Sequence, residues 1–298
     1  MSSMLRATRT VTPAPDAGRV AAIRNTLTLD DVQSVAGFGV QARRDVLACL
    51  EQAIEAGETE LNDCVELLAR LRGRMAGLDP AALASPGGLA GLFSTRGGRL
   101  ERFRDRFVEA VRALASTSAE IRPLLARVET RGQTLDAVHD RLRAVIQEID
   151  ACLEAGRARR AEAGDGEAAT VLDQRLADLG ALRGAALAQL PVLRMAQNAD
   201  GFGAEAARAA IRAAVVWRDE WGEALGMERR RRIRPDLVWL NQARQDADEA
   251  LARAEVALST ARARRAGAGD RLRQAAEAAR REPQPASPPA TESVQATS

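Results

Sequence analysis

The chain has 298 residues, of which 46% are hydrophobic and 28% charged, so it can bury one large core or two smaller ones. Its formal net charge of +2 excludes a global attraction to nucleic acid or to membranes. The sequence contains no lysine, so all 43 basic residues are arginines, which excludes a Walker A phosphate loop and a Schiff-base lysine.

The part of the chain before residue 99 is predicted to hold an arm, two helices and a linker. Residues 1–26 show no apolar periodicity, so we interpret them as a flexible N-terminal arm. Thr28 or Asp30 can cap a first helix, whose early turns Gly37 and Gly39 weaken. The predicted elements of this N-terminal helical region, residues 27–98, are helices over about 28–56 and 59–76 and a Gly- and Pro-rich loop over 79–98.

A long helix is predicted over about 99–154, because every seventh residue is apolar. The members of this column are Leu100, Phe107, Leu114, Ile121, Val128, Leu135, Leu142 and Ile149. A repeat of seven is typical of the seam of a left-handed coiled coil. We place a second column four residues after the first, where Val111 and Ile146 alternate with polar residues such as Arg104. Pro123 either kinks this helix or precedes a second helix capped by Ser116 or Ser118.

The rest of the chain is predicted to return antiparallel to this helix. We expect a turn over 156–166, a long helix from Glu167 with an interruption near Asn198 to Gly203, and a last helix after Pro235. These elements form a predicted coiled-coil bundle over 99–281, and residues 282–298 are predicted to be a disordered tail. The predicted fold class is therefore all-α, an elongated bundle of long antiparallel helices with a smaller N-terminal helical region.

Residues suited to catalysis or metal binding are scarce. His139 is the only histidine, and its place in the second column favours a half-buried, hydrogen-bonded core residue over a catalytic one. Cys49, Cys64 and Cys152 are far apart in the sequence and fall on apolar faces, so we expect neither a metal site nor disulfides. We expect no catalytic residue, no metal and no cofactor. The N-terminus lacks the apolar region of a signal peptide, and the chain lacks a run of about 20 apolar residues, so we expect a cytoplasmic protein.

Two local features remain. Trp217 and Trp221 share one helical face, which is more typical of a core or an interface than of a cofactor site. The densest basic cluster comprises Arg229, Arg230, Arg231, Arg232 and Arg234. It can bind an oxyanion, a phosphate or an acidic lipid head group, or it can be a solvated connector.

The segments Val192–Asp200 and Ile211–Arg218 resemble the TelA family of toxic-anion, or tellurite, resistance proteins. That family carries an Arg-x-x-Gln-Asn-x-Asp motif, followed later by an apolar–Trp–basic segment. The matching positions here are Arg194, Gln197, Asn198, Asp200 and Trp217. The segments 37–42, 78–80 and 91–93 also resemble the family, so the likeness extends over about 32–273. The chain departs from the family at Val215 and Val216, where proline is common, and at Pro123.

The resemblance implies an all-helical bacterial protein linked to tellurite and stress resistance, and it supplies no catalytic residue. We read the Arg194–Asp200 motif as polar groups that either satisfy backbone at a helix interruption or bind a ligand. The function that we predict is a non-enzymatic scaffold that binds other proteins, including other tellurite-resistance proteins or a second copy of itself. The alternatives are direct oxyanion handling, by the arginine cluster or by cysteine thiolates, and peripheral binding to a membrane or nucleic acid through that cluster.

Overall fold

The computed structural model describes residues 14–57, 59–84, 96–227 and 234–281, which are mostly helical. The helices are α1 (Ala17–Thr26), α2 (Val32–Ala36), α3 (Val40–Glu55), α4 (Glu60–Ala76), α5 (Arg96–Glu162), α6 (Glu167–Ala224) and α7 (Leu237–Arg280), with a 3-10 turn at Pro80–Leu83 between α4 and α5. The described residues contain no strand, and the all-α prediction is confirmed.

Contacts divide the chain into two compact units. Unit 1 comprises Met1–Glu51, Arg141–Ala188 and Arg273–Ser298, and unit 2 comprises Gln52–Asp140 and Gln189–Leu272. The helices α5, α6 and α7 each contribute residues to both units. In unit 1, Leu27, Val35 and Leu172 form a small buried cluster, whereas a much larger cluster fills unit 2.

The helix α1 lies within the predicted arm, so the absence of regular structure that we expected is wrong for Ala17–Thr26. This helix has no amphipathic pattern and is held by polar contacts. Asp16 caps it by accepting the Arg19 backbone N–H at 2.7 Å, and the Arg19 side chain binds Glu148 of α5. Residues 1–13 and 282–298, the rest of the arm and the predicted tail, lie outside the described residues.

Gly39 separates two helices where the sequence predicted one weakened helix. Its φ of +77° is a left-handed conformation that other residues rarely adopt, and a Cβ there would meet the Leu179 side chain at 2.6 Å. The chain therefore ends α2 and restarts as α3. The predicted second helix is confirmed as α4. In the loop predicted over 79–98, residues 85–95 lie outside the described residues.

The helix α5 is longer than predicted and is continuous through Pro123 and Gly156. Pro123 lies inside α5 with its ring exposed, so the alternative in which a second helix begins there is wrong. The turn expected from Gly156 is also wrong, because α5 continues to Glu162. Gly156 is required by packing, since a Cβ at this position would lie 2.6 Å from Cδ2 of Leu176.

The first apolar column of α5 is confirmed as core, because all its members are buried except Leu100, which is half-buried. The second column, however, lies three residues after the first and not four. Every member of this three-residue column is buried: Phe103, Ala110, Thr117, Leu124, Arg131, Val138, Val145 and Cys152. The column that we had placed four residues on is only half-buried over much of its length, for example at Val111 and Leu125.

The helix α6 is continuous, so the predicted interruption near Asn198 to Gly203 is wrong. By length and composition α6 is the one helix among the described residues that could cross a bilayer. Of its apolar window, 39% is buried within the protein, and Leu193, Trp217 and Trp221 of this helix are fully buried. The last helix is confirmed as α7, with Asp236 accepting the backbone N–H groups of Val238 and Trp239.

Candidate functional site

Four buried or nearly buried charged side chains meet in unit 2, and we call them the polar layer: Glu60, Arg131, Asp200 and Arg265. Arg131 Nε and Nη2 each donate to one oxygen of Asp200 at 2.8 Å. Arg131 Nη1 donates to Glu60, in the first turn of α4. Arg265 Nε lies 3.5 Å from Asp200 Oδ2, and its Nη2 donates to the Gly57 carbonyl at 2.7 Å. The layer therefore joins α4, α5, α6 and α7.

The polar layer balances two positive charges with two negative ones. Burial lowers the pKa of Arg131, but hydrogen bonds and charges from Asp200 and Glu60 outweigh this effect and hold it above its usual value. Burial raises the pKa of Glu60, but its backbone hydrogen bond and the neighbouring arginines hold it below its usual value. Both shifts favour the charged forms of Arg131 and Glu60, and each charge of the layer has a partner that offsets the cost of its burial.

The three most buried members occupy positions where a coiled coil normally places apolar residues. Asp200 belongs to the α6 column Leu193, Asp200, Ala207, Ala214 and Trp221, and Arg265 belongs to the α7 column Leu251, Leu258, Arg265 and Leu272. Arg131 belongs to the second column of α5. A polar group at such a position lowers stability in exchange for a defined register.

The other residues of the motif lie at the surface, one or two turns before Asp200. Arg194 Nη1 donates to Asp136 at 2.6 Å and to Gln197 Oε1 at 2.8 Å. Gln197 Nε2 donates to the Gly132 carbonyl at 3.2 Å, and residue 132, as a glycine, has no side chain beside this contact. Hydrogen bonds from Gln197 and Arg194 lower the pKa of Asp136. Asn198 is exposed.

His139 is buried beside this surface group. Its Nδ1 lies 3.4 Å from Arg194 Nη2 and 3.3 Å from Asp140 Oδ1. These contacts agree with the prediction of a hydrogen-bonded core histidine.

Trp217 and Trp221 form the aromatic part of the unit 2 core, as predicted. Trp217 lies edge-on to Phe107 with ring centroids 5.4 Å apart, and the Trp221 ring is tilted by 31° against Phe103 with centroids 5.7 Å apart. Trp221 Nε1 donates to the Leu240 carbonyl at 3.1 Å. The motif position Trp217 therefore contributes to packing.

The predicted arginine cluster falls mostly on residues that the structure does not describe. Arg229, Arg230, Arg231 and Arg232 lie outside the described residues, whereas Arg234 is exposed just before α7. In the first turn of α7, after Pro235 and Asp236, Val238 and Trp239 are exposed by 80% and 39%.

All three cysteines are buried and free. Burial raises the pKa of Cys64 and of Cys152 to about 11, and it also raises the pKa of Cys49. A thiol becomes a nucleophile or a reductant as the thiolate, so these environments suppress both reactions.

A cleft of about 460 Å³ opens in unit 2 between the end of α4 and the start of α7. Its walls include Met75, Leu251, Arg244 and Asp248. Arg72 binds the Asp248 carboxylate at 2.7 Å and lowers its pKa. Among the described residues, no group of three or more His, Cys, Asp or Glu side chains is arranged to hold a metal ion.

Sequence reasoning singled out Asp200 but missed its two partners, Arg131 and Arg265, and Glu60, the second partner of Arg131. A signal for Arg131 was present, because it lies three residues after Val128 and thus in the second seam column. Arg265 likewise follows Leu251 and Leu258 at intervals of seven. An arginine in an apolar column indicates a buried partner, although one sequence does not say which residue it is.

The fold and the site define a class of all-helical protein in which a paired polar layer lies within long coiled-coil helices. Residues 20–169, half of the chain, match the family model described as toxic anion resistance protein (TelA). The chain therefore belongs to the TelA family of toxic anion resistance proteins, and the predicted family membership is confirmed. The match includes Glu60 and Arg131 and ends before the Arg194–Asp200 motif. No curated protein and no solved structure matches the chain.

Membership of this family supports a role in resistance to toxic anions such as tellurite.

Proposed function

We propose that this protein acts in toxic-anion resistance as a non-enzymatic helical scaffold that binds other proteins. The observation that carries the proposal is the closure of the polar layer. A catalytic acid, base or anion ligand must reach the substrate. Asp200 uses both oxygens to bind Arg131, and both side chains are 2% exposed.

The thiols support the same proposal. Direct reduction of tellurite needs accessible thiolates, whereas Cys49, Cys64 and Cys152 are buried and have raised pKa values. A scaffold does not depend on these thiols.

Partner binding needs an exposed apolar surface, and one helix face in unit 2 provides it. We call this the α6 outer face: Phe202, Glu205, Ala209, Arg212 and Val216, spaced three and four residues apart. Phe202 is 49% exposed and Val216 54% exposed, and an ion pair between Glu205 and Arg212 at 2.6 Å lies between them. Apolar contacts flanked by charges are typical of protein interfaces.

A resistance assay in cells that lack the protein tests this proposal. We expect cells that carry F202S/V216S to lose tellurite resistance. We also expect this variant to lose binding to a protein partner that the wild type retains from tellurite-stressed cells. The control A209S, on the same face, and the cysteine-free variant C49A/C64A/C152A should keep both. Circular dichroism checks that each variant is folded. If the folded cysteine-free variant is sensitive, or if purified protein consumes tellurite in the presence of a reductant, the non-enzymatic proposal is wrong.

A second function is favoured by the exposed start of α7, namely peripheral binding to an anionic membrane surface. Val238 and Trp239 expose apolar surface next to Arg234, and four further arginines precede them in the sequence. Apolar and basic side chains together are typical of segments that bind membrane interfaces. Under this proposal the protein is cytoplasmic and binds peripherally to the inner membrane.

Sedimentation with vesicles that contain anionic lipid tests the second function. We expect binding that weakens as salt increases and that V238S/W239A reduces. The control V256S changes a valine of the same helix that is 68% exposed but has no adjoining arginine cluster, and it should bind as wild type does. Salt-insensitive binding, or equal binding by all variants, contradicts membrane docking. Salt-dependent binding to DNA or to phosphate, with none to vesicles, would favour the nucleic-acid or oxyanion alternative.

A further inference from the structure

We infer that the polar layer sets the axial register of α7 against its neighbouring helices in unit 2. The inference rests on three observations: the repetitive seam of α7, the lengths of the connections, and the single arrangement that pairs every charge. It does not depend on the scaffold proposal.

The buried face of α7 repeats nearly identical layers. Its core residues are Leu240, Ala243, Ala247, Leu251, Ala254, Leu258, Ala261, Arg265, Ala268 and Leu272. A slip of seven residues, about 10 Å along the helix, replaces Leu251 by Leu258 and Ala254 by Ala261. In the stretch from Ala254 to Ala268 the apolar contacts would be almost unchanged, so apolar packing there selects the register of α7 poorly.

The connections of the chain fix only one of the helix pairs. The helices α5 and α6 are joined by residues 163–166, and so short a connection sets their register directly. The connections from α4 to α5, residues 77–95, and from α6 to α7, residues 225–236, are much longer. Helices with longer connections can slide past their neighbours at little cost in loop-closure entropy.

The polar layer removes this ambiguity. In the observed register Arg265 reaches both Asp200 and the Gly57 carbonyl, while Arg131 joins Asp200 to Glu60 of α4. A slip of α7 by one heptad would bring a leucine to the place of Arg265 and leave its charge among apolar side chains. A buried charge without its partners is strongly unfavourable, so one register is selected.

Cross-linking between Asp79 and α7 measures the register. Arg244 Nη1 lies 3.9 Å from Asp79 Oδ1, so D79C/R244C should react with a short bifunctional thiol reagent in the native register. A slip of one heptad instead brings residue 237 or 251 to this place, which D79C/L237C and D79C/L251C report. The native thiols are buried and stay unreactive while the protein is folded.

The decisive comparison introduces the same cysteine pairs into the wild type and into a variant that we call the apolar-layer variant, E60Q/R131M/D200L/R265M. In the wild-type background only D79C/R244C should cross-link. In the apolar-layer variant the cross-linking yield of D79C/R244C should fall by about twofold or more, because the molecules are divided among several registers. D79C/L237C or D79C/L251C should then also cross-link. The control is L258M, a substitution in the same column seven residues before Arg265. With this substitution the cysteine pairs should cross-link as they do in the wild type.

The inference is wrong if, in the apolar-layer variant, D79C/R244C is the only pair that cross-links and its yield equals that in the wild type. If that variant does not unfold cooperatively, D200N/R265M replaces it, because this variant keeps the Arg131–Glu60 ion pair while it removes the anchor of α7 and the charge of residue 200. The same criterion then applies to D200N/R265M: a slipped pair supports the inference, and a single register refutes it.

Discussion

Gly203 packs directly against Ala261. A Cβ built on Gly203 would lie 3.1 Å from Cβ of Ala261 and 2.8 Å from Cδ2 of Leu61, which is fully buried. Helix α6 therefore approaches α7 and α4 at a distance that only glycine permits. We expect Gly203→Ala to lower the free energy of unfolding by about 1–3 kcal/mol through overpacking, in spite of the better helix propensity of alanine.

The matched control for this substitution is Gly201→Ala, one position before Phe202. A Cβ on Gly201 meets nothing within 4 Å, so alanine should raise the free energy of unfolding by up to about 1 kcal/mol. Urea unfolding followed by circular dichroism measures both values. Equal effects of the two substitutions would contradict the close approach at Gly203.

Leu135 tests the first seam column. It is completely buried, so Leu135→Ala should lower the free energy of unfolding by about 2–5 kcal/mol, since it loses apolar contacts and leaves a cavity. Gln133→Ala, at an exposed position of the same helix, should change it by less than about 0.5 kcal/mol. A loss at Leu135 as small as that at Gln133 would place the column at the surface.

The long helices could be predicted from the sequence because a repeat of seven needs no knowledge of the partner helix. The second column could not be placed as well. Near the end of α5 both candidate columns are buried, for example at Val138 and His139, whereas earlier the correct column contains Thr117 and Arg131. Polar residues in the true column made it look like the solvent face.

The failed helix breaks have a common physical reason. Gly156 and Gly203 were interpreted as turn residues, but each lies where a neighbouring helix leaves no room for a Cβ. Helix propensity is a local quantity, whereas glycine is present at these two positions because of packing against residues that are distant in sequence. The pairing of Arg131 with Asp200 was hidden for the same reason, since a single sequence carries no record of which residues meet.

The motif itself separates into a structural and a surface part, which two alanine substitutions distinguish. Asp200→Ala leaves Arg131 and Arg265 in the core without their shared carboxylate, so we expect a loss of about 3–5 kcal/mol in the free energy of unfolding. Asn198 is exposed and lies two residues before Asp200, so Asn198→Ala should lower the free energy of unfolding by less than about 0.5 kcal/mol. Thermal and urea unfolding measure both. A stable, native-like Asp200→Ala would show that the carboxylate is not needed to neutralise the two arginines.

The buried thiols predict how stability depends on pH. Burial raises the pKa of Cys64 and Cys152 from the usual 9.0 to about 11 in the folded chain. Between these values the folded thiols keep their protons while the unfolded ones lose them. The unfolded state then binds fewer protons, so the free energy of unfolding should fall as pH rises from 9 towards 11. Urea unfolding at a series of pH values measures this slope. The variant C64V/C152V, which keeps an apolar side chain at both positions, should show a shallower slope, and an identical slope would mean that both thiols ionise as readily in the folded chain as in the unfolded one.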